Sequence, residues 1–176
     1  NILITYHPET LNNNTYDDLL QVLNAVNLLD DYLIIFTRSN ADYKNDKFTK
    51  TINNFIKKKN NCFFFNSLGF ISYFSVLRNI DFVIGNSSSG IIEVPSFKIP
   101  SINIGDRQSG RVKAKSVIDC RPMSKEIIKC IKKIESKKNI GSFYNPYFKN
   151  NTKRNIIRQL ENSNLNELVI KSFYNY

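Results

Sequence analysis

The feature that most constrains the fold is an alternation of short, wholly apolar runs with longer segments that are apolar on one side only. The short runs are Ile2-Leu3-Ile4-Thr5-Tyr6, Tyr32-Leu33-Ile34-Ile35-Phe36, Cys62 to Phe65, Asp81-Phe82-Val83-Ile84-Gly85, Ser101-Ile102-Asn103-Ile104 and Ser116-Val117-Ile118-Asp119. Runs this short and this continuously apolar read as strands covered on both faces, the signature of a parallel sheet. Between them, residues 15–29 place Leu19, Val22, Leu23, Val26 and Leu29 at helical spacing, and residues 46–58 do the same with Phe48, Ile52, Phe55 and Ile56. Shorter helices are predicted over 70–79 and 88–97, and a longer one over 124–135. Strand and helix in turn define a doubly wound α/β domain with a parallel sheet. This domain is expected to span residues 1–148. Past the loop Gly141-Ser142-Phe143-Tyr144-Asn145-Pro146-Tyr147, a tail over 149–176 reads as two amphipathic helices, 150–161 and 164–174. Its Phe173 and Tyr174 need a surface to pack on, in this domain or in another.

A chain of 176 residues can bury such a core without staples. Its three cysteines, Cys62, Cys120 and Cys130, form no Cys-x-x-Cys pair. That argues against a disulfide framework or a zinc site and for reduced thiols in a cytoplasmic protein. Cys62 lies in an apolar run and reads as core. No apolar run approaches the roughly 20 residues that span a bilayer, so no membrane partner is expected. No leader segment is visible; the chain opens inside a strand-like run without Met, which suggests a fragment. The net charge of +10 raises the question of nucleic acid. The lysines form no single stripe, however. The densest runs, Lys57-Lys58-Lys59 and Lys137-Lys138, fall near predicted helix ends, where cations are favourable in any case. The expectation is a basic surface suited to an anionic small ligand or an acidic partner domain, not to nucleic acid.

In sheets of this kind ligands bind beyond the carboxyl ends of the strands. Four segments there carry chemistry. After the fourth strand, Asn86-Ser87-Ser88-Ser89-Gly90 leads into a helix. It reads either as an ordinary Ser/Asn helix cap or as a seat for phosphate, with free N–H groups and hydroxyls as donors. Glu93, one turn on, either complements the helix dipole or accepts from the diol of a ribose. After the fifth strand, Gly105-Asp106-Arg107-Gln108-Ser109-Gly110-Arg111 is either a solvated charged loop or a cationic clamp suited to phosphate. After the first strand comes His7-Pro8-Glu9-Thr10. His7 is the chain's one histidine, set at a loop mouth, where imidazole can bond a phosphate oxygen or act in acid–base work.

These segments, taken with Phe36-Thr37-Arg38-Ser39-Asn40-Ala41-Asp42, resemble the hydrolysing UDP-N-acetylglucosamine 2-epimerase family, in its sialic and legionaminic acid branch. The resemblance runs from residue 1 to about 135 and is most specific in the Asn-Ser-Ser-x-Gly-x-x-Glu and Gly-x-Arg-Gln-x-Gly-Arg motifs. It implies a Rossmann-like domain of the GT-B kind, the carboxyl-terminal one of two. It implies that Ser87 and Ser88 hold a diphosphate, that Glu93 holds the ribose hydroxyls, and that Arg107 contacts the phosphates. It also implies that His7 sits by the diphosphate and sugar as a catalytic group, that Asn40 lies in the nucleotide pocket, and that Leu68 occupies the uracil-facing loop. The implied parent reaction is elimination of UDP across sugar carbons 1 and 2, followed by addition of water to the glycal. The acids for that proton chemistry belong mainly to an amino-terminal domain absent from this chain. The expectation is a UDP-sugar ligand, a missing amino-terminal domain as partner and a homo-oligomer for the full protein. No cofactor is expected, and no metal, since no carboxylate pair or histidine cluster is present. The donor-binding domain of a GT-B glycosyltransferase is the alternative, disfavoured by the Gly-Asp-Arg-Gln-Ser-Gly-Arg loop.

Overall fold

The computed structural model describes residues 1–9, 12–39, 45–136 and 141–164. Six parallel strands form one sheet: β1 (Ile2–Thr5), β2 (Ile34–Thr37), β3 (Cys62–Phe65), β4 (Phe82–Gly85), β5 (Ser101–Ile104) and β6 (Val117–Cys120). Their order is β3-β2-β1-β4-β5-β6. Helices α1 (Thr15–Val26), α2 (Asn45–Ile56), α3 (Gly69–Leu77), α4 (Ser89–Ile92) and α5 (Ser124–Glu135) connect or follow them. The predicted doubly wound α/β class is therefore correct.

The period of two along each strand sorts its side chains between two cores. Ile2 and Ile4 of β1 and Phe82 and Ile84 of β4 join Leu19 and Val22 of α1, Phe48 of α2 and Ile127 and Ile131 of α5. On the opposite face, Leu3 and Val83 meet Leu77, Ile80 and Val94. This is why the central strands read as continuous apolar runs.

Most boundaries shift by one to three residues from the sequence reading, and two differences have a clear cause. β2 starts at Ile34, not Tyr32, and Leu33 is largely exposed. The segment expected as one helix over 88–97 is split into α4, four residues long, and a 3-10 turn at Val94–Phe97. Pro95 is the reason. It has no N–H to donate and its ring collides with the preceding turn of an α-helix.

The chain divides into two units, Asn1–Pro146 and a second that begins at Tyr147. In the second, α6 (Thr152–Glu161) places Ile156, Ile157 and Leu160 within one face. The helix expected at 164–174, with Phe173 and Tyr174, lies outside the described residues, as do Asn40, Ala41, Asp42 and Lys137-Lys138. No helix among the described residues is long and apolar enough to cross a membrane.

Candidate functional site

The strand order reverses between β1 and β4, and there the loops leave the sheet toward opposite faces. Ligands of such sheets sit in the crevice this creates. A cleft of about 530 Å³ opens at that place, lined by the ends of β1 and β2, the loop after β3, the Ser87–Ser89 turn, Glu93 and Arg107. Six of the seven residues singled out from sequence line it: His7, Leu68, Ser87, Ser88, Glu93 and Arg107. The seventh, Asn40, falls outside the described residues.

The approach to the cleft depends on Gly85. Its φ is +146°, and a Cβ there would lie 1.9 Å from the carbonyl oxygen of Thr5. Only glycine lets β4 run this close to β1 and then turn. The serine turn follows at once. Ser88 is the residue before α4, yet its side chain makes no cap hydrogen bond. The Ser88 hydroxyl therefore does not act as a helix cap, and Ser88 lines the cleft. Ser87 Oγ accepts a long bond from Ser89 N–H at 3.4 Å. The hydroxyls of Ser89 and Tyr73 bond each other and tie α3 to α4. Because α4 is only four residues long, the macrodipole expected from sequence is small. Stabilisation of an anion here falls to the hydroxyls and to Arg107.

Glu93 lies between α4 and the 3-10 turn. Its Oε2 is buried and has no hydrogen-bond partner among the described residues. An unpaired buried carboxylate oxygen is costly, and at the wall of an open cleft it is an acceptor waiting for a donor. Burial raises the pKa of the neighbouring Tyr73 phenol above its usual value; the hydrogen bond with Ser89 opposes this and the Glu93 charge adds to it.

Arg107 is held by its own loop. Its Nη1 donates to the carbonyl of Asn86 at 3.2 Å, and Nε2 of the adjacent Gln108 donates to the same oxygen at 2.8 Å. Arg107 forms no ion pair among the described residues. His7 is 3% exposed. The loop mouth read from sequence is thus a buried wall, because Asn86 draws the loop back against β4. The N–H of His7 donates to Asn86 Oδ1 at 2.7 Å, and Asn86 Nδ2 donates to the His7 carbonyl at 2.9 Å.

Sequence reasoning missed three contributors. Asn86 was read as part of the serine turn but not as the joint of three loops. Tyr73, Phe70 and Phe74 of α3 form an apolar wall of the cleft, with the Phe70 and Phe74 ring centroids 4.4 Å apart. Arg38 lines the cleft with an Asp46 carboxylate 3.7 Å away. The i, i+3, i+4 spacing of Phe70, Tyr73 and Phe74 directly after a strand end is the signal that sequence offered for this wall.

Strand order, crevice and loop chemistry together define an α/β domain of the Rossmann-like, GT-B kind. The chain belongs to the UDP-N-acetylglucosamine 2-epimerase family, whose model matches residues 1–161. Among curated relatives, it is 39% identical over 137 residues to the GDP/UDP-N,N'-diacetylbacillosamine 2-epimerase (hydrolyzing) of Campylobacter jejuni, covering 77% of this chain and 35% of that protein. It is 37% identical over 163 residues to the polysialic acid biosynthesis protein P7 of Escherichia coli, covering 89% of this chain and 41% of that protein. The chain thus spans well under half the length of these relatives. Among solved structures, it resembles the UDP-GlcNAc 2-epimerase of Neisseria meningitidis bound to UDP-GlcNAc, with a TM-score of 0.65 at 17% identity over 92% of this chain and 44% of that one. It also resembles the Methanocaldococcus jannaschii UDP-GlcNAc 2-epimerase in complex with UDP-GlcNAc and UDP, with a TM-score of 0.68 at 20% identity over 92% and 45%. At these identities the structural likeness establishes the fold.

Proposed function

We propose that the cleft binds the UDP part of a nucleotide sugar. On this reading the chain is the nucleotide-binding half of a hydrolysing 2-epimerase acting on UDP-N-acetylglucosamine or UDP-diacetamido-trideoxyglucose. The observation that supports this most is the Glu93 carboxylate oxygen, buried and unpartnered in the same cleft as Arg107 and the uncapped Ser88 hydroxyl. A phosphate seat with a carboxylate beside it repels a plain anion. A ligand that carries both an anion and a diol resolves the conflict.

The parts then divide as follows. The ribose hydroxyls donate to Glu93. The diphosphate accepts from Ser87, Ser88 and Arg107. The uracil lies against the wall of Leu68, Phe70 and Phe74, with main-chain groups of residues 66–69 reading its edge. His7 faces the diphosphate and the sugar. In the parent reaction the proton leaves sugar carbon 2, the bond from carbon 1 to the diphosphate oxygen breaks, and a double bond forms between the two carbons. Water then adds to this glycal. Negative charge grows on the departing UDP, so the donors that bind the diphosphate also stabilise its departure. The base that removes the carbon-2 proton is assigned to the amino-terminal half, so this chain alone binds without turning over.

Mixing the chain with the amino-terminal half of a relative and UDP-N-acetylglucosamine tests this. Free N-acetylmannosamine-type sugar plus UDP supports it. Transfer of the sugar to an acceptor supports a GT-B glycosyltransferase instead. The Escherichia coli heptosyltransferase WaaC structure with ADP shares the fold at a TM-score of 0.53 and 12% identity, which is why the product must decide.

A further inference from the structure

We infer that Asn86 is the positioning residue of the cleft, its side chain fixing His7 and its main-chain carbonyl anchoring Arg107. This rests on the UDP reading above. Asn86 is wholly buried. It is absent from the cleft lining, so any influence on a ligand passes through the residues it holds.

The oxygen and both protons of its side-chain amide are engaged. Oδ1 accepts from the His7 N–H, and the two protons of Nδ2 go to the His7 carbonyl at 2.9 Å and to Glu9 Oε1 at 3.2 Å. A side-chain amide that pairs with both the N–H and the carbonyl of one residue does the work of a further β-ladder rung. It begins where the main-chain pairing of β1 and β4 runs out, at the Asn86 N–H to Thr5 carbonyl bond of 3.2 Å. The Asn86 carbonyl accepts from both Arg107 Nη1 and Gln108 Nε2, which occupies its two lone pairs. Loops after β1, β4 and β5 thereby meet at one residue.

The chemistry requires asparagine. Aspartate lacks both Nδ2 donors and sets a second carboxylate against Glu9. Serine and alanine do not reach His7, and glutamine is one methylene too long. Asn86 thus fixes both the main chain that carries the His7 imidazole and one donor of the Arg107 guanidinium.

His7 is the chain's one histidine, so its ring resonances report its placement without ambiguity. The test compares the full chain with Asn86→Asp and with Ile127→Ala, a core change on α5 away from the cleft. Each is checked for folding by circular dichroism, titrated with UDP by calorimetry, and observed at the His7 ring protons by NMR. Asn86→Asp is expected to lower UDP affinity at least tenfold and to move the His7 ring resonances in the ligand-free protein. Ile127→Ala is expected to lower the melting temperature while leaving UDP affinity within twofold of native and the His7 ring resonances in place. Native-like ring resonances and UDP affinity in Asn86→Asp overturn the inference; so does an equal loss of affinity in Ile127→Ala. Should Asn86→Asp fail to fold, Gln108→Met removes one partner of the Asn86 carbonyl and keeps the grip on His7. A several-fold affinity loss with the His7 resonances in place supports the inference, and unchanged affinity overturns it. A native chain that binds no UDP sinks the functional reading, whereas the His7 resonances of ligand-free Asn86→Asp still decide the role of Asn86.

Discussion

The Arg107 guanidinium is fixed by the Asn86 carbonyl, 3.2 Å from Nη1, and it lines the same cleft as the Ser88 hydroxyl. A guanidinium held in place loses little side-chain entropy when an anion arrives, so its full donor strength goes to the ligand. Each charge-assisted bond of this kind contributes about 1.5–3 kcal/mol. Replacing Arg107 and Ser88 together by alanine is expected to weaken UDP binding by well over tenfold in a calorimetric titration. Unchanged affinity in that double variant would remove the diphosphate from this part of the cleft.

Glu93 gives a prediction of a different kind. If its buried oxygen accepts from the ribose, Glu93→Gln should cost UDP affinity about 1–2 kcal/mol. The same change should cost 2′,3′-dideoxy-UDP almost nothing, because that ligand has no hydroxyls to donate. Equal losses for the two nucleotides would return Glu93 to a structural role.

At Gly85 the constraint is steric. A Cβ placed 1.9 Å from the Thr5 carbonyl forces β1 and β4 apart at the centre of the sheet. Gly85→Ala is expected to destabilise the protein by about 3 kcal/mol or more, since both φ and close packing are violated. For a unit of this size that corresponds to a fall of roughly 6–12 °C in Tm. A thermal melt within about 2 °C of native would show that the two strands can part cheaply.

Cys120 ends β6, and Cys130 packs against the same core from α5. A hydrogen bond from the Cys120 thiol holds Cys130 below the ordinary thiol pKa, with burial and the Glu126 charge opposing and Lys133 and Lys129 assisting. Burial pushes Cys62 the other way. The thiolate is the reactive form, so alkylation at Cys130 should set in at lower pH than at Cys62 as pH is raised. Peptide mapping after iodoacetamide treatment at stepped pH measures this. Cys62 reacting first would contradict it.

The sheet was legible because its central strands β1 and β4 are buried on both faces and so read as apolar runs, while β5 admits only the buried Ser101 and Asn103 and the outer strands β3 and β6 stay largely apolar though partly exposed. Tyr32 and Leu33 misled for the same reason. They are apolar, but they precede the first rung of β2, and Leu33 faces solvent. The helix over 88–97 broke where Pro95 warned it would. The site was legible as positions after strand ends, since topology brings those together whatever their separation in sequence. What joins them was not. Asn86 and His7 are 79 residues apart, and nothing local to either marks the other as partner. Cys120 and Cys130 likewise meet only through the packing of α5 on the sheet. The tail beyond Tyr147 carries helical spacing, and spacing alone names no surface for it.

The most direct test is a calorimetric titration of the 176-residue chain with UDP, beside GDP and inorganic pyrophosphate. Binding of UDP at one site, tighter than pyrophosphate because Glu93 and the Leu68–Phe74 wall add the ribose and base contacts, is the predicted result. No heat from UDP at millimolar concentration with the protein folded, or equal affinity for UDP and pyrophosphate, would contradict it.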